Sequence, residues 1–398
     1  MKPLTKSTTP ENESRLKIAI VSHLYPSERQ PSKGPFIQDV FSLLKDNIDV
    51  QVFVPTPRSI PLTSRWIFNH SALLDSGFTQ RVPYLSIPLR KAPGIVNKTL
   101  CHAFDKIIKK DDFDLIHINW SYPDSFLIPL LESKGIPTVL TIHGYLWYEV
   151  RYQQNIMKYV WPALEQTQKI FVVGNQLKSD ILKQFPLLKD KVHTLFNSVD
   201  GNFFTLGSDK IKHREQLGWN ANTRHVLTVA NIGQEKGIDV LLRSIIDHDD
   251  LRKYNFHLIG RVLNDSYLRN LQHIIDTHQL SNVEFHDAVS REELVSYYHA
   301  SDLFVLPSRH EGFGLSIVEA AATGLPVIST RSGGPEDIIN SEIGMLVDVD
   351  SPKILASAIA QTMKQTFNPS TIRTNVLQRF DQSIIRDGLI SHYLNVLK

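Results

Sequence analysis

Sulfur, net charge and long apolar runs are what this chain has least of. One cysteine, Cys101, in 398 residues excludes an internal disulfide framework and any zinc cluster built on several thiolates. A formal net charge of +2 gives no electrostatic ground for a nucleic-acid partner, and none is expected. No uninterrupted apolar run reaches the roughly 20 residues that span a bilayer. The opening MKPLTKSTTPENES is polar and lacks the apolar core of a signal peptide, so residues 1–14 read as a flexible tail and the chain as cytoplasmic. The length suffices for two domains, each with its own core.

What is present is a double series of short apolar runs. Leu16–Val21, Val50–Val54, Leu115–Ile118, Thr138–Ile142 and Ile170–Val173 read as buried strands, followed by Val226–Ala230, Phe256–Ile259, Val283–Phe285, Leu303–Leu306 and Val327–Ser329. Helical or irregular stretches separate them. Strands alternating with helices imply parallel sheets covered on both faces, with ligands outside the carboxyl ends of the strands. The series changes near Phe196 to Leu206. The expected division is a first domain over 15–200, a second over 201–375 and a C-terminal helix over 376–398 that returns to the first.

The richest stretch is PSRHEGFGLSIVEAAATGLPVIS, Pro307 to Ser329. Pro307 and Ser308 end a strand, and Leu315, Val318, Ala321 and Ala322 have helical spacing. Glu311 then lies in the strand-to-helix loop and Glu319 on the helix. Gly312 and Gly314 permit the turn and let backbone N–H groups at the helix start approach an anion. A carboxylate only accepts hydrogen bonds, which suits the paired hydroxyls of a hexose or a ribose.

That string resembles the donor-site signature of the retaining glycosyltransferase family 4, the group 1 family of the GT-B fold. The resemblance extends over ASDLFVLPS, STRSGGPEDIINSEIGMLVDVDSPKILASAI, LFNSVDGNFF and VANIGQEKGIDVLLRSI, and less specifically over YPSERQPSKGPFIQDVFSLL, HINWSYPDSFLIPLL and TIHG. It implies two Rossmann-like doubly wound parallel-sheet domains facing across a cleft. It also implies transfer of a sugar from a nucleotide-diphosphate-sugar donor to a hydroxyl acceptor with retention, the acceptor being a saccharide or lipid-linked saccharide of surface-polysaccharide or glycolipid assembly.

Carried over position by position, the resemblance assigns Glu319 to the donor ribose and Glu311 to the hydroxyls of the transferred sugar. Gly312, Phe313, Gly314 and Leu315 come near the sugar and phosphates, Lys236 faces the leaving diphosphate, and His143 lies near the transferred sugar. Gly34 would admit the donor or acceptor. Asn231 stands where the family commonly carries an arginine, and Arg261 is a candidate to supply the missing charge. No cofactor and no metal are expected, because the lysine and the helix-start amides take the charge a divalent ion takes elsewhere.

Other motifs are weaker. Asp112-Phe113-Asp114 and Asp348-Val349-Asp350 have the form of a metal-binding Asp-x-Asp but flank apolar strands as polar punctuation. Gly333 and Gly334 precede a helix start at Pro335, and His117 and Asn119 follow strand-end logic. NKTLCHAFDKIIKK, residues 97–110, carries an apolar stripe at Leu100, Ala103, Phe104, Ile107 and Ile108. Such a stripe suits a helix packed on its own sheet, the preferred reading, or one lying peripherally on the inner face of a membrane. The alternatives to transfer are a sugar-nucleotide epimerase or hydrolase of the same fold and a non-catalytic nucleotide-sugar-binding protein.

Overall fold

The computed structural model describes residues 15–26, 34–59, 78–87, 90–207 and 209–398. The stretch 1–14, expected to be a tail, lies outside the described residues, as do Ser32 and Lys33 of the SKGPF loop.

Seven strands form one sheet: β1 (Lys17–Val21), β2 (Asp49–Ser59), β3 (Thr79–Ser86), β4 (Leu115–Asn119), β5 (Thr138–Ile142), β6 (Lys169–Val172) and β7 (Val192–Thr194). Their order is β3-β2-β1-β4-β5-β6-β7. Six more form a second sheet: β8 (His225–Val229), β9 (Asn255–Ile259), β10 (Val283–His286), β11 (Leu303–Leu306), β12 (Val327–Thr330) and β13 (Gly344–Val347). Their order is β10-β9-β8-β11-β12-β13, and every pairing in it is parallel. Both are doubly wound Rossmann-like sheets, as the apolar runs imply. In each, strand order reverses beside the first strand of the series: between β1 and β4, and between β8 and β11. Such reversals are where loops diverge to opposite faces and leave a crevice at the carboxyl ends.

β3, β7 and β13 are strands beyond those the apolar runs predict. β3 reads TQRVPYLS, with Pro83 inside and alternating exposure, which fits an edge strand and hides its apolar content. β7 has only three residues and β13 begins with a glycine.

The chain divides into two compact units. One holds the chain through Thr141 with Glu149–Ile170 and His392–Lys398; the other holds Ile142–Tyr148 and Phe171–Ser391. In the first, the helix Pro93–Ile107 buries Val96, Leu100 and Phe104, and Phe104 packs on Phe53 of β2 at 5.9 Å between ring centroids. The lysine-flanked stripe is therefore used against the sheet. His117 of β4 is a core residue with both ring nitrogens engaged, Nδ1 with Tyr393 Oη and Nε2 with Thr141 Oγ1, each at 2.6 Å. Burial pushes its imidazole down to about 3.

In the second unit the helix Ile238–Ile246 buries Ile238, Leu241, Leu242 and Ile245 against β8, β9 and the helix Pro352–Thr362. Each such side chain contributes roughly 1.5–3 kcal/mol by leaving water. A row of histidines crosses one face of this sheet: His225 on β8, His257 on β9 and His286 on β10. Trp219 stacks on His257 with ring centroids 3.6 Å apart and on His225 at 4.6 Å. Burial pushes the His257 imidazole down to about 3, so the middle of the row is neutral near pH 7.

Candidate active site

The crevice beside β8 and β11 collects most of the residues singled out by sequence, all within the second unit. After β8 the chain makes a turn of one 3-10 segment, Gln234–Lys236, and starts a helix at Ile238. Gly237 joins them at φ 63°, and a Cβ there would stand 2.0 Å from the carbonyl oxygen of Pro307. Only glycine lets the turn close so tightly on the end of β11. Arg309 then binds the two loops together. Its backbone N–H donates to Glu235 O at 2.7 Å and its Nη1 to Gln234 O at 2.6 Å. Its guanidinium also grips Asp239 bidentately, at 3.0 and 2.8 Å. Burial would raise the Asp239 carboxyl, but the bonds from Arg309 and Tyr267 outweigh it and hold it below the usual carboxylate range.

This framework presents Lys236 to Glu311: Nζ donates to Oε2 at 2.7 Å, with the two side chains 19% and 14% exposed. Glu311 is fixed from the other side by its backbone, which bridges in parallel to Gly333. Its N–H donates to Ser332 O at 3.0 Å and its carbonyl accepts from Gly334 N at 2.8 Å. A Cβ on Gly334 would lie 2.3 Å from Phe313 Cα, so the glycine pair lets one loop lie flush on the other. The helix Leu315–Ala322 follows, with Gly314 at its N-cap at φ 103° and no side chain capping it. Its first-turn amides are suited to an anion supplied from outside.

Glu319 lies on that helix and accepts from Tyr298 Oη at 2.9 Å. Tyr298 is buried, and burial with the neighbouring carboxylate raises its hydroxyl well above the ordinary range, so it remains a donor. The turn carrying His143 is packed here too: a Cβ on Gly312 would meet the His143 carbonyl oxygen at 3.3 Å. Asn231 and Arg261 are both exposed and come from neighbouring strand ends. Ile232 N donates to Arg261 O at 2.8 Å, and Gly260 leaves no room for a Cβ beside Ala230 O, at 1.8 Å. Gly34 lies in the first unit, where φ 69° and Leu24 O, 2.6 Å from a notional Cβ, account for the glycine.

The Asp-x-Asp triplets serve the backbone and arginines. Asp112 and Asp114 accept from Lys109 N and Lys17 N, each at 2.8 Å. Asp350 takes Arg309 Nε at 2.7 Å, while Asp348 faces Arg331 at 3.7 Å.

Sequence reasoning missed a second constellation, at the strand-order reversal of the seven-stranded sheet. His23, just past β1, gives its backbone N–H to Asp124 Oδ2 at 2.9 Å, and its Nδ1 lies 3.1 Å from the same oxygen. Asp124 is fully buried, and its Oδ1 has no partner among the described residues. Trp120, at φ 82°, donates from Nε1 to Ser22 Oγ at 3.1 Å. The partners are separated by 101 positions, and no local pattern announces such a pair. A cavity of about 780 Å³ lies instead at the amino ends of β1 and β2, lined by Lys17, Asp49 and Phe113, and none of the assigned residues faces it.

Comparison with known proteins identifies the family and the fold. The family description "Glycosyl transferases group 1" matches residues 209–378 and "Glycosyltransferase Family 4" matches residues 41–203. The chain is 27% identical over 402 residues to a putative teichuronic acid biosynthesis glycosyltransferase, TuaC, of Bacillus subtilis, covering 96% of this chain and 99% of that one. It is 31% identical over 292 residues to a D-inositol 3-phosphate glycosyltransferase of Corynebacterium diphtheriae, covering 68% and 66%. Among solved structures, a sucrose-phosphate synthase of Thermosynechococcus elongatus superposes with a TM-score of 0.77 at 22% identity, covering 96% of this chain and 99% of that one. Anabaena HepE in complex with UDP-glucose superposes at 0.74 and 19%, covering 96% and 100%.

Proposed function

From the premise that this chain belongs to the group 1 glycosyltransferases of the GT-B fold, we propose that it moves a hexose from a nucleotide-diphosphate-sugar donor to a hydroxyl acceptor with retention of anomeric configuration. The observation that carries this reading is the Lys236–Glu311 pair at the strand-order reversal of the second sheet, beside an uncapped helix start.

The donor half is residues 201–375. The leaving diphosphate gains negative charge as the glycosidic bond breaks. Once the donor is bound, Lys236 and the first-turn amides of Leu315–Ala322 stand ready for that charge as it develops. Donor binding draws Lys236 toward the phosphates and leaves Glu311 to accept from the sugar hydroxyls. Glu319, oriented by Tyr298, accepts from the ribose hydroxyls. His143 borders the transferred sugar, and Arg261 supplies the cation that Asn231 does not. The acceptor hydroxyl enters on the face the diphosphate leaves, and the departing phosphate takes its proton, so no protein nucleophile and no divalent ion are needed. Within the first unit, His23, aligned by Asp124, offers a directional hydrogen bond of the kind an acceptor hydroxyl takes.

The full-length likeness to the putative teichuronic acid biosynthesis glycosyltransferase supports a role in polysaccharide assembly; the acceptor proposed is a saccharide or lipid-linked saccharide, met on the cytoplasmic side of a membrane. Among the described residues no helix is long and apolar enough to cross one. The test is to incubate the protein and a chelator with UDP-, GDP- and ADP-sugars, with and without saccharide acceptors. NMR then reads the product anomer. Acceptor-dependent release of one nucleoside diphosphate with the donor's anomeric configuration supports the proposal; acceptor-independent release, or an inverted product, contradicts it.

A further inference from the structure

We propose that His257, Glu284 and His286 form a binding site for a divalent transition-metal ion, zinc in the first instance, on the β9–β10 edge of the second sheet and outside the donor cluster. Strand period puts the three on one face, since Glu284 is the register partner of His257 and His286 is two residues further along β10. Their nearest ligand atoms form a nearly equilateral triangle. His257 Nδ1 lies 3.2 Å from His286 Nε2 and 3.4 Å from Glu284 Oε2, and His286 Nε2 lies 3.6 Å from Glu284 Oε2. In a tetrahedral zinc site with bonds of about 2.0–2.1 Å, adjacent ligand atoms stand about 3.4 Å apart. The three atoms thus occupy one face of such a tetrahedron. Glu284 is 62% exposed on its side chain, which gives the ion and a fourth, solvent ligand a way in.

The hydrogen-bond chain behind the triangle sets the protonation that a ligand needs. His225 Nε2 faces the carbonyl oxygen of Asn220 at 2.8 Å and Thr223 Oγ1 at 3.1 Å. The Thr223 hydroxyl gives its own proton to Asn220 O at 3.1 Å, so both partners of His225 Nε2 are acceptors and that nitrogen carries the proton. His225 Nδ1 is then an acceptor, and the donor it meets at 3.0 Å is His257 Nε2. This leaves His257 Nδ1 unprotonated, with its lone pair directed at the triangle. Metal-bound histidines are held this way, with the remote N–H donated to a protein acceptor. Trp219, stacked on both His225 and His257, fixes the ring planes. Two imidazoles and one carboxylate favour zinc and its neighbours over magnesium or calcium. The ion would pin edge strand β10 to β9, where Gly260 N already donates to His286 O at 3.2 Å. No step of sugar transfer passes through it.

The test uses the full chain freed of any affinity tag and dialysed against a chelator. Cobalt(II) is titrated in and the intense visible absorption of a four-coordinate ion is followed, then bleached with zinc. One equivalent is expected to bind. His286→Ala and Glu284→Gln, both at the accessible edge, should weaken binding about tenfold or more with unchanged circular dichroism. His278→Ala, an exposed histidine outside the three-residue group, should not. Zinc should raise the Tm of the wild type and of His278→Ala only. Absence of four-coordinate cobalt absorption, or equal binding by wild type and both edge variants, would mean that the row is a hydrogen-bonded core feature and overturn the proposal.

Discussion

The two sheets reverse strand order in the same way, yet they furnish the two reversals differently. Beside β8 and β11 lies a lysine paired with a glutamate, both partly exposed, on loops held by a glycine contact and a bidentate arginine. Beside β1 and β4 lies a histidine against a fully buried aspartate. A lysine brings a permanent charge that suits a diphosphate. A histidine aligned by a carboxylate brings a directional hydrogen bond that suits a hydroxyl. One architecture thus offers two chemistries, and the side chains at the reversal decide which.

Replacing the charge should break the contrast most strongly. Lys236→Ala is expected to lower kcat by about a hundredfold or more, roughly 3 kcal/mol of transition-state stabilisation, with donor affinity changed far less. Steady-state kinetics with circular dichroism as the control would check it; equal kcat would remove Lys236 from the chemistry. On the other side, His23→Ala should act chiefly through the acceptor, raising its KM while nucleoside diphosphate affinity stays constant. A parallel loss of donor affinity would show that the two constellations are not distinct in role.

Next in size is the scaffold. Gly237→Ala places a Cβ against Pro307 O at φ 63°, so a loss of about 2–3 kcal/mol in stability is expected, read by urea unfolding; a change below about 0.5 kcal/mol would mean that the turn relaxes without the glycine. Acid sensitivity follows from His117. Its folded value of about 3 lies below the ordinary 6.5, so the unfolded chain binds the proton first. Stability is then lost as pH falls from about 6.5 toward 3, by about 2 kcal/mol at pH 5. His117→Gln should flatten that part of the pH profile, and an unchanged slope would point to other groups. Smallest is Tyr298→Phe, which removes one hydrogen bond to Glu319 and should weaken donor binding by about 1 kcal/mol.

Much of the cluster beside β8 and β11 was legible in the sequence, because its parts are local. The strand Leu303–Leu306, the glycine turn and the helix Leu315–Ala322 follow one another directly, and Lys236 sits beside its own glycine. What holds those parts was not legible. Tyr298 reaches Glu319 across 21 positions and Arg309 reaches Asp239 across 70. Each is an ordinary residue until the fold brings its partner. His23 and Asp124 are the extreme case. The missed strands have the same explanation on a smaller scale: edge strands such as β3 expose half their residues and tolerate a proline, so the continuous apolar signal of a central strand is absent.

The proposed metal-free binding of a nucleotide-diphosphate sugar beside β8 and β11 is best examined by titrating UDP, GDP and ADP calorimetrically, in the presence of a chelator, into the wild type and Glu319→Ala. One of the three should bind the wild type, and the variant, folded to the same degree, should bind it at least about tenfold more weakly, as expected when a charged partner of the ribose hydroxyls is lost. Equal affinity in both proteins, or binding that appears only when a divalent ion is restored, would contradict the proposal.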